Sequence, residues 1–254
     1  MTLNPTGRFS SRVADYLRYR PSYPAGMLPL LERECRLTAD SVIADVASGT
    51  GLLAKLFLQA GYHVLGVEPN VEMRTAGDAF LAAFPNFRGV HGRAEQTGLP
   101  DASANLIVVG QAFHWFDAQA TRREFCRILR PPRWVALIWN ERIVPSGGFL
   151  KGYEEMLHHY APDYAKTDHR QVDAQRIAAF FGHCAWTLAT FDNAQQFDLK
   201  GVRGRLLSSS YAPDGSSPNY RPMLAELERL FAAHNLNGHV SFLYETKVYY
   251  GQLD

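Results

Sequence analysis

Five short apolar runs recur before residue 141: VIADV (42–46), YHVLGVE (62–68), FRGVHG (87–92), NLIVVGQ (105–111) and WVALIWN (134–140). Each is strand-length, so they read as short buried strands. Segments with apolar residues at helical spacing separate most of them. Strand–helix alternation of this kind predicts a mostly parallel sheet covered by helices on both faces.

After Asn140 the rhythm changes. Helical patterns near 149–160, 172–181, 200–208 and 220–234 surround a possible strand at 186–192, and SFLYETKVYYGQL (241–253) alternates with period two, as a last sheet strand does. YAPDGSSPNYRP (211–222) is a Pro/Gly/Ser loop, and no internal repeat is visible. The expected architecture is one α/β domain over 1–254, with its core at 40–142, a helical cap at 145–235 that roofs a pocket, and late strands running to 254.

Composition narrows this picture in a few places. With 254 residues and 46% hydrophobic content the chain has enough material for a full core. Its formal net charge is +1, so no bulk electrostatic attraction to nucleic acid or anionic membrane is expected. The N-terminus lacks an apolar leader core, and no stretch approaches the roughly 18 apolar residues of a membrane span. A cytoplasmic protein is expected. Cys35, Cys126 and Cys184 are far apart and show no C-x-x-C spacing, which predicts neither a disulfide framework nor a zinc site.

The stretch DVASGTG (45–51) carries the first chemical signal. Asp45 closes the first predicted strand, and Gly49 and Gly51 lie where the chain turns into a helix, so backbone N–H groups there are open to a ligand. Glu68 ends the second strand, where a carboxylate accepts hydrogen bonds from two ribose hydroxyls. The combination points to a nucleoside site, which serves either a nicotinamide or flavin dinucleotide or S-adenosylmethionine. A dinucleotide fingerprint needs a small residue at position 52, and that position is Leu52, so the second ligand fits better.

These stretches resemble the class I S-adenosylmethionine-dependent methyltransferases, in their small-molecule branch with a D-x-G-x-G-x-G first motif. DVASGTG (45–51) looks like the first motif, VLGVEPNVEM (64–73) like the acidic second-strand motif, GRAEQTGLPDASANLIVVGQAFHWFD (92–117) like the adenine and fourth-strand region, and ILRPPRWVALIWN (128–140) like the turn and fifth strand. The resemblance implies a Rossmann-like seven-stranded sheet and methyl transfer from S-adenosylmethionine to a small molecule, with S-adenosylhomocysteine as product. The other readings are a protein or RNA methyltransferase and a cofactor-binding module without catalysis. It also implies that Ala47, Ser48 and Gly49 lie against the methionine part, with Asp45 and Gly51 also cofactor-binding, that Glu68 holds the ribose, Pro69 and Met73 flank the adenine, and Ala94 and Glu95 meet its edge. Gln111 and Ala112 stand near the sulfonium.

Several positions depart from the family pattern. Ala47 replaces a glycine, a change tolerated where φ stays negative. Arg93 replaces an Asp, Asn105 an Asp and Pro132 a Gly, the last expected to alter only a surface turn.

His114 follows the fourth strand and is the candidate general base. The competing reading makes it and Trp115 a pocket wall, with Trp115 shielding the sulfonium. YLRYRPSYP (16–24), within an N-terminal lid over 1–30, supplies Tyr16 and Arg20 for the cofactor carboxylate or an acidic substrate; its other reading is a surface helix ending before Pro21. Asn140 joins these as a substrate or lid residue. In GRLLSSSYAP (204–213), Arg205 and the serines either serve a substrate or cap a helix. His158 and His159 have no metal-spaced partners and read as a solvated helix end.

Overall fold

A computed structural model describes residues 17–164, 174–209 and 211–254. Seven strands, β1 (Val42–Val46), β2 (His63–Val67), β3 (Phe87–Val90), β4 (Ala104–Gly110), β5 (Leu129–Arg142), β6 (Trp186–Phe197) and β7 (Val240–Gln252), form one sheet in the order β3-β2-β1-β4-β5-β7-β6. Pairing is parallel from β3 through β5, and β7 lies antiparallel between β5 and β6.

Neighbouring residues of each inner strand bury against opposite layers, as a sheet covered on both sides requires. Ile43, Leu106 and Ile138 meet α1 (Met27–Glu34) and α2 (Leu52–Gln59) through Leu31 and Phe57. Ala44, Ile107 and Leu137 meet Phe125 of α4 (Ala118–Ile128) and Phe180 of α6 (Ala174–Phe181). The first strand lies where its apolar run predicts.

Capping side chains set several helix starts. Asn70 accepts from the Met73 N–H to open α3 (Val71–Phe80), Asp117 accepts from the Ala120 N–H to open α4, and Asp198 accepts from the Gly201 N–H to open α7 (Leu199–Leu207). Each satisfies an N–H that the first helical turn leaves without a partner.

The region 145–235 does not form a single cap. Its helices α5 (Gly148–Tyr160), α7 and α8 (Tyr220–His234) build a third cluster with Phe242 and Tyr244 of β7, whereas α6 joins α4 on the sheet face. The strand expected at 186–192 continues to Phe197. Polar Asn193, Gln195 and Gln196 hide that continuation from hydrophobic periodicity, but their backbones pair with β7 from Asn193–Tyr244 to Phe197–Val240. Among the described residues no helix is long and apolar enough to cross a membrane.

Candidate functional site

The carboxyl ends of β1, β2, β4 and β5 lie along one edge of the sheet, the edge at which open α/β folds bind ligands. At the end of β1 the chain turns through Ala47, Ser48, Gly49 and Thr50 before Gly51 opens α2. Gly49 and Gly51 have φ of 56° and 81°. A Cβ added at Gly51 would meet Leu81 Cδ1 at 2.5 Å, so that glycine is required by space as well as by conformation. Ala47 also adopts positive φ, 59°. This corrects the expectation of a negative φ: the alanine occupies the left-handed region, at a cost of about 1–2 kcal/mol for an L side chain.

Glu68 directly follows β2 and is buried. Its Oε2 accepts from the Gly49 N–H at 2.9 Å and its Oε1 from the Asn70 N–H at 2.8 Å, tying the first turn to the start of α3. Each oxygen retains acceptor capacity for a hydroxyl. Burial outweighs the two N–H donors and the Arg74 charge, and leaves the carboxyl above its ordinary range. Asp45 is 1% exposed, and neither of its oxygens finds a hydrogen-bond partner among the described residues. Burial pushes its pKa up to about 7, against the opposing effect of the Ala54 N–H and with help from the Glu68 charge. A buried carboxylate in this state fits a cationic ligand group nearby. Glycine turn, diol acceptor and buried acid together suit an amino-acid-bearing nucleoside such as S-adenosylmethionine.

The other expected cofactor residues gather around this edge. Met73 is buried on α3, its Cε 3.6 Å from where a Gly49 Cβ would stand. Pro69 connects Glu68 to the α3 cap. Ala94 packs in the same cluster as Val67 and Ala112. Glu95 accepts from the Asp117 N–H at 3.0 Å, which gives its carboxylate a place at the start of α4. Gln111 ends β4 with φ of 61°, and its Nε2 donates to the Asn140 carbonyl at 3.3 Å. His114 and Trp115 lie in a 3-10 turn, rings 4.6 Å apart and both half-buried.

Of the expected departures, the backbones of Arg93 and Gln96 bridge each other. Asn105 accepts from the Val42 N–H at 2.9 Å, a structural role at the start of β1. Pro132 is exposed.

Arg20 and Asn140 lie farther along the edge, toward β6 and β7. Asn140 donates to the Ser22 carbonyl at 3.3 Å and accepts from Thr246. Gln195 donates to the Tyr19 and Arg20 carbonyls, and Asn193 to that of Ser22 at 2.8 Å. Arg20 donates to the Ser208 carbonyl at 3.1 Å. Residues 19–22 therefore form a strap bonded across the ends of β5 and β6 and onto α7. Tyr16 lies outside the described residues. His158 is exposed on the last turn of α5, 3.5 Å from Glu154, and no group suited to hold a metal occurs among the described residues.

Beneath the strap, residues that the sequence reading did not single out meet Arg20 and Arg205. Arg142 ends β5 and contacts Glu154 and, at 2.8 Å, the Tyr164 hydroxyl. Arg205, 5% exposed, donates to the Tyr244 hydroxyl at 3.3 Å and to Ser209 Oγ at 3.1 Å. Among the described residues, the Tyr153 hydroxyl and Arg142 Nε are buried without a hydrogen-bond partner. Strand alternation offered one signal for Arg142, which lies two residues beyond Asn140 on the same face.

Residues 44–137 match a family model described as a methyltransferase domain. An uncharacterized methyltransferase of Mycobacterium bovis is 36% identical over 138 residues, covering 53% of this chain and 52% of the relative. The chain thus spans about half the length of the curated relatives it matches. A putative type II methyltransferase from Anaeromyxobacter dehalogenans superposes with a TM-score of 0.64 at 18% identity, covering 92% of this chain and 98% of that one. A phosphoethanolamine N-methyltransferase of Haemonchus contortus, solved with phosphomonomethylethanolamine and S-adenosylhomocysteine, has a TM-score of 0.56 at 12% identity, covering 96% of this chain and 57% of that one.

Proposed function

We propose that the chain is a class I S-adenosylmethionine-dependent methyltransferase, as the match of residues 44–137 to a methyltransferase-domain model supports, and that it binds S-adenosylmethionine at the β1–α2 turn and moves the methyl group to a small-molecule acceptor. The observation that carries this reading is Glu68, whose two oxygens each hold one backbone N–H across the turn. A carboxylate held in this way, with acceptor capacity left on each oxygen, suits a ribose diol. In this reading Ala47, Ser48 and Gly49 border the methionine part, Pro69 and Met73 flank the adenine, Ala94 and Glu95 lie at its edge, and Gln111 and Ala112 face the reacting end. When bound, the sulfonium supplies an electrophilic methyl group, so the protein's task is alignment and exclusion of water. His114 stands in the wall with Trp115, its ring packed on the indole.

Residues 40–142 act as the cofactor core, and the strap from the 1–30 segment acts with α5, α7 and α8 as the acceptor cover. Such a cover favours a small acceptor over a protein or RNA, which needs an open groove.

Isothermal titration tests the cofactor. S-adenosylhomocysteine should bind the wild type, and Glu68→Gln should weaken it about ten- to a hundredfold, the loss of charge-assisted bonds of about 1.5–3 kcal/mol each at most. Binding of NAD or NADP, with none of S-adenosylmethionine or its product, would overturn the proposal.

A further inference from the structure

The outer strands of an open sheet keep one row of backbone N–H and C=O groups unpaired, and proteins guard such edges with short strands, proline, charged side chains or bulges. The two edges of this sheet differ. β3 is four residues long and carries Arg88. β6, at the other end of the order, runs twelve residues, a length of about 40 Å. It contains no proline, lysine or arginine, and its single charged residue is Asp192. Its pairing with β7 continues from Trp186–Gly251 to Phe197–Val240 without a register shift, so no bulge turns the edge away. Among the described residues, no backbone bond joins β6 to any element but β7.

The parts around β6 leave that row open. The strap meets the strand through the Asn193 and Gln195 side chains, which donate to carbonyls lying over one face. Phe191 packs on the same face, in the layer under α1 and α2, with its ring 3.6 Å from where a Gly26 Cβ would stand. On the opposite face Trp186 joins the α4 and α6 layer, and beyond it Leu188, Thr190, Asp192 and Ala194 are exposed. The edge is therefore a ready template for one more strand.

The residues of β6 themselves select the strand that fits. A two-fold axis perpendicular to the sheet would lay a second β6 antiparallel to the first, with one residue opposite its own copy. Two such registers pair the most residues, eleven each: one centred on Phe191 joins 186–196, and one centred on Asp192 joins 187–197. Centring on Asp192 sets two carboxylates directly opposite each other, which is destabilising. Centring on Phe191 removes that conflict. Thr190 then lies opposite Asp192, a hydroxyl donor against a carboxylate, and Leu188 lies opposite Ala194. On the other face Phe191 meets its own copy, and Ala189 lies opposite Asn193. Each pair is repeated by symmetry, as an interface between identical patches requires.

We propose that the free edge of β6 is the interface for a second copy of this chain, paired antiparallel with Phe191 on the two-fold axis, so that two seven-stranded sheets become continuous. Three strands, β4, β5 and β7, separate β1 from this interface. The β1–α2 turn of each copy therefore stays clear of the other copy, and the assembly holds whether or not the chain transfers methyl groups.

Sedimentation velocity of the full chain, from micromolar to near-millimolar protein, is the first test. It should show a concentration-dependent species of twice the 28.5 kDa chain. Thr190→Asp should weaken that dimer at least tenfold, because it sets an aspartate opposite each Asp192. Within its own chain Thr190 pairs with Lys247, which accommodates the new carboxylate, so circular dichroism of the dilute variant should match the wild type. Disulfide trapping then reads the register. In a Cys126→Ser, Cys184→Ser background, where Cys35 remains buried, chains with Leu188→Cys are mixed with chains with Ala194→Cys and oxidised. The mixture should cross-link severalfold faster than either variant alone, since directly opposite residues of an antiparallel pair lie within disulfide reach. A monomer at every concentration, an assembly larger than a dimer, a dimer that Thr190→Asp leaves intact, or a mixture that cross-links no faster than its components each overturns the proposal.

Discussion

Asp45 and Ala47 show how much of the β1–α2 turn is held against local preference. Ala47 tolerates a left-handed backbone, and Asp45 keeps a carboxyl in a place that burial makes unfavourable for its charge. Strain of this kind persists where surrounding structure over-determines it, and it concentrates at binding sites. For Asp45 the consequence is a pH dependence of known sign. Its pKa rises from 3.8 to about 7 on folding, so between those values the folded chain holds a proton that the unfolded chain has released. The stabilising contribution is complete below about pH 4 and is lost as the pH rises through about 7, at about 1.4 kcal/mol for each pH unit crossed. Asp45→Asn does not titrate. Urea denaturation from pH 4 to 8 should show a shallower decline for the variant than for the wild type, and parallel curves would remove Asp45 as the cause.

At the scale of elements, the strap joins the N-terminal segment to the C-terminal half of the sheet. Tyr19 is buried against Phe197 and against α7, where a Cβ added at Gly204 would clash with the edge of its ring. Glycine in a helix interior costs about 1 kcal/mol relative to alanine, so here a weaker helix position makes room for the tyrosine. Gly204→Ala should preserve α7 and displace Tyr19. Trypsin cleavage after Arg18 should then become severalfold faster than in the wild type. Unchanged cleavage would mean that the Gln195, Asn193 and Asn140 bonds hold the strap without its aromatic anchor.

For the whole molecule, β7 is the element that joins the parts. It pairs with β5 from Trp134–Gln252 to Arg142–Tyr244 and with β6 along its other edge. Its side chains enter separate clusters, Val248 the layer under α1 and α2, and Phe242 and Tyr244 the one built by α5, α7 and α8. The cofactor core and the acceptor cover should therefore unfold together. Far-ultraviolet and near-ultraviolet circular dichroism should give one coincident thermal midpoint, raised in both signals by S-adenosylhomocysteine through mass action. Two separated midpoints, with only the lower-numbered half responding to ligand, would show that β7 does not couple them.

Local pattern was enough for the sheet, its mostly parallel order, the glycine turn and the placing of Glu68. Strand-length apolar runs, helical spacing and glycine at a strand–helix turn each leave a signature within a short window of residues. Even the late strands were visible in outline, although β6 ran past its apolar part because backbone pairing with β7 is indifferent to side-chain polarity. The positive φ of Ala47 was not readable, since a single residue's dihedral depends on what surrounds it. Nor was the cationic group legible. Arg20, Arg142 and Arg205 are separated by more than a hundred and by more than sixty positions, and alone each looks like a surface arginine or a helix end. Their shared burial arises only when β5 and β7 pair, α7 packs over them and the strap crosses the edge. The cost of burying these ions is a property of that assembled neighbourhood, because it depends on which groups fold around them.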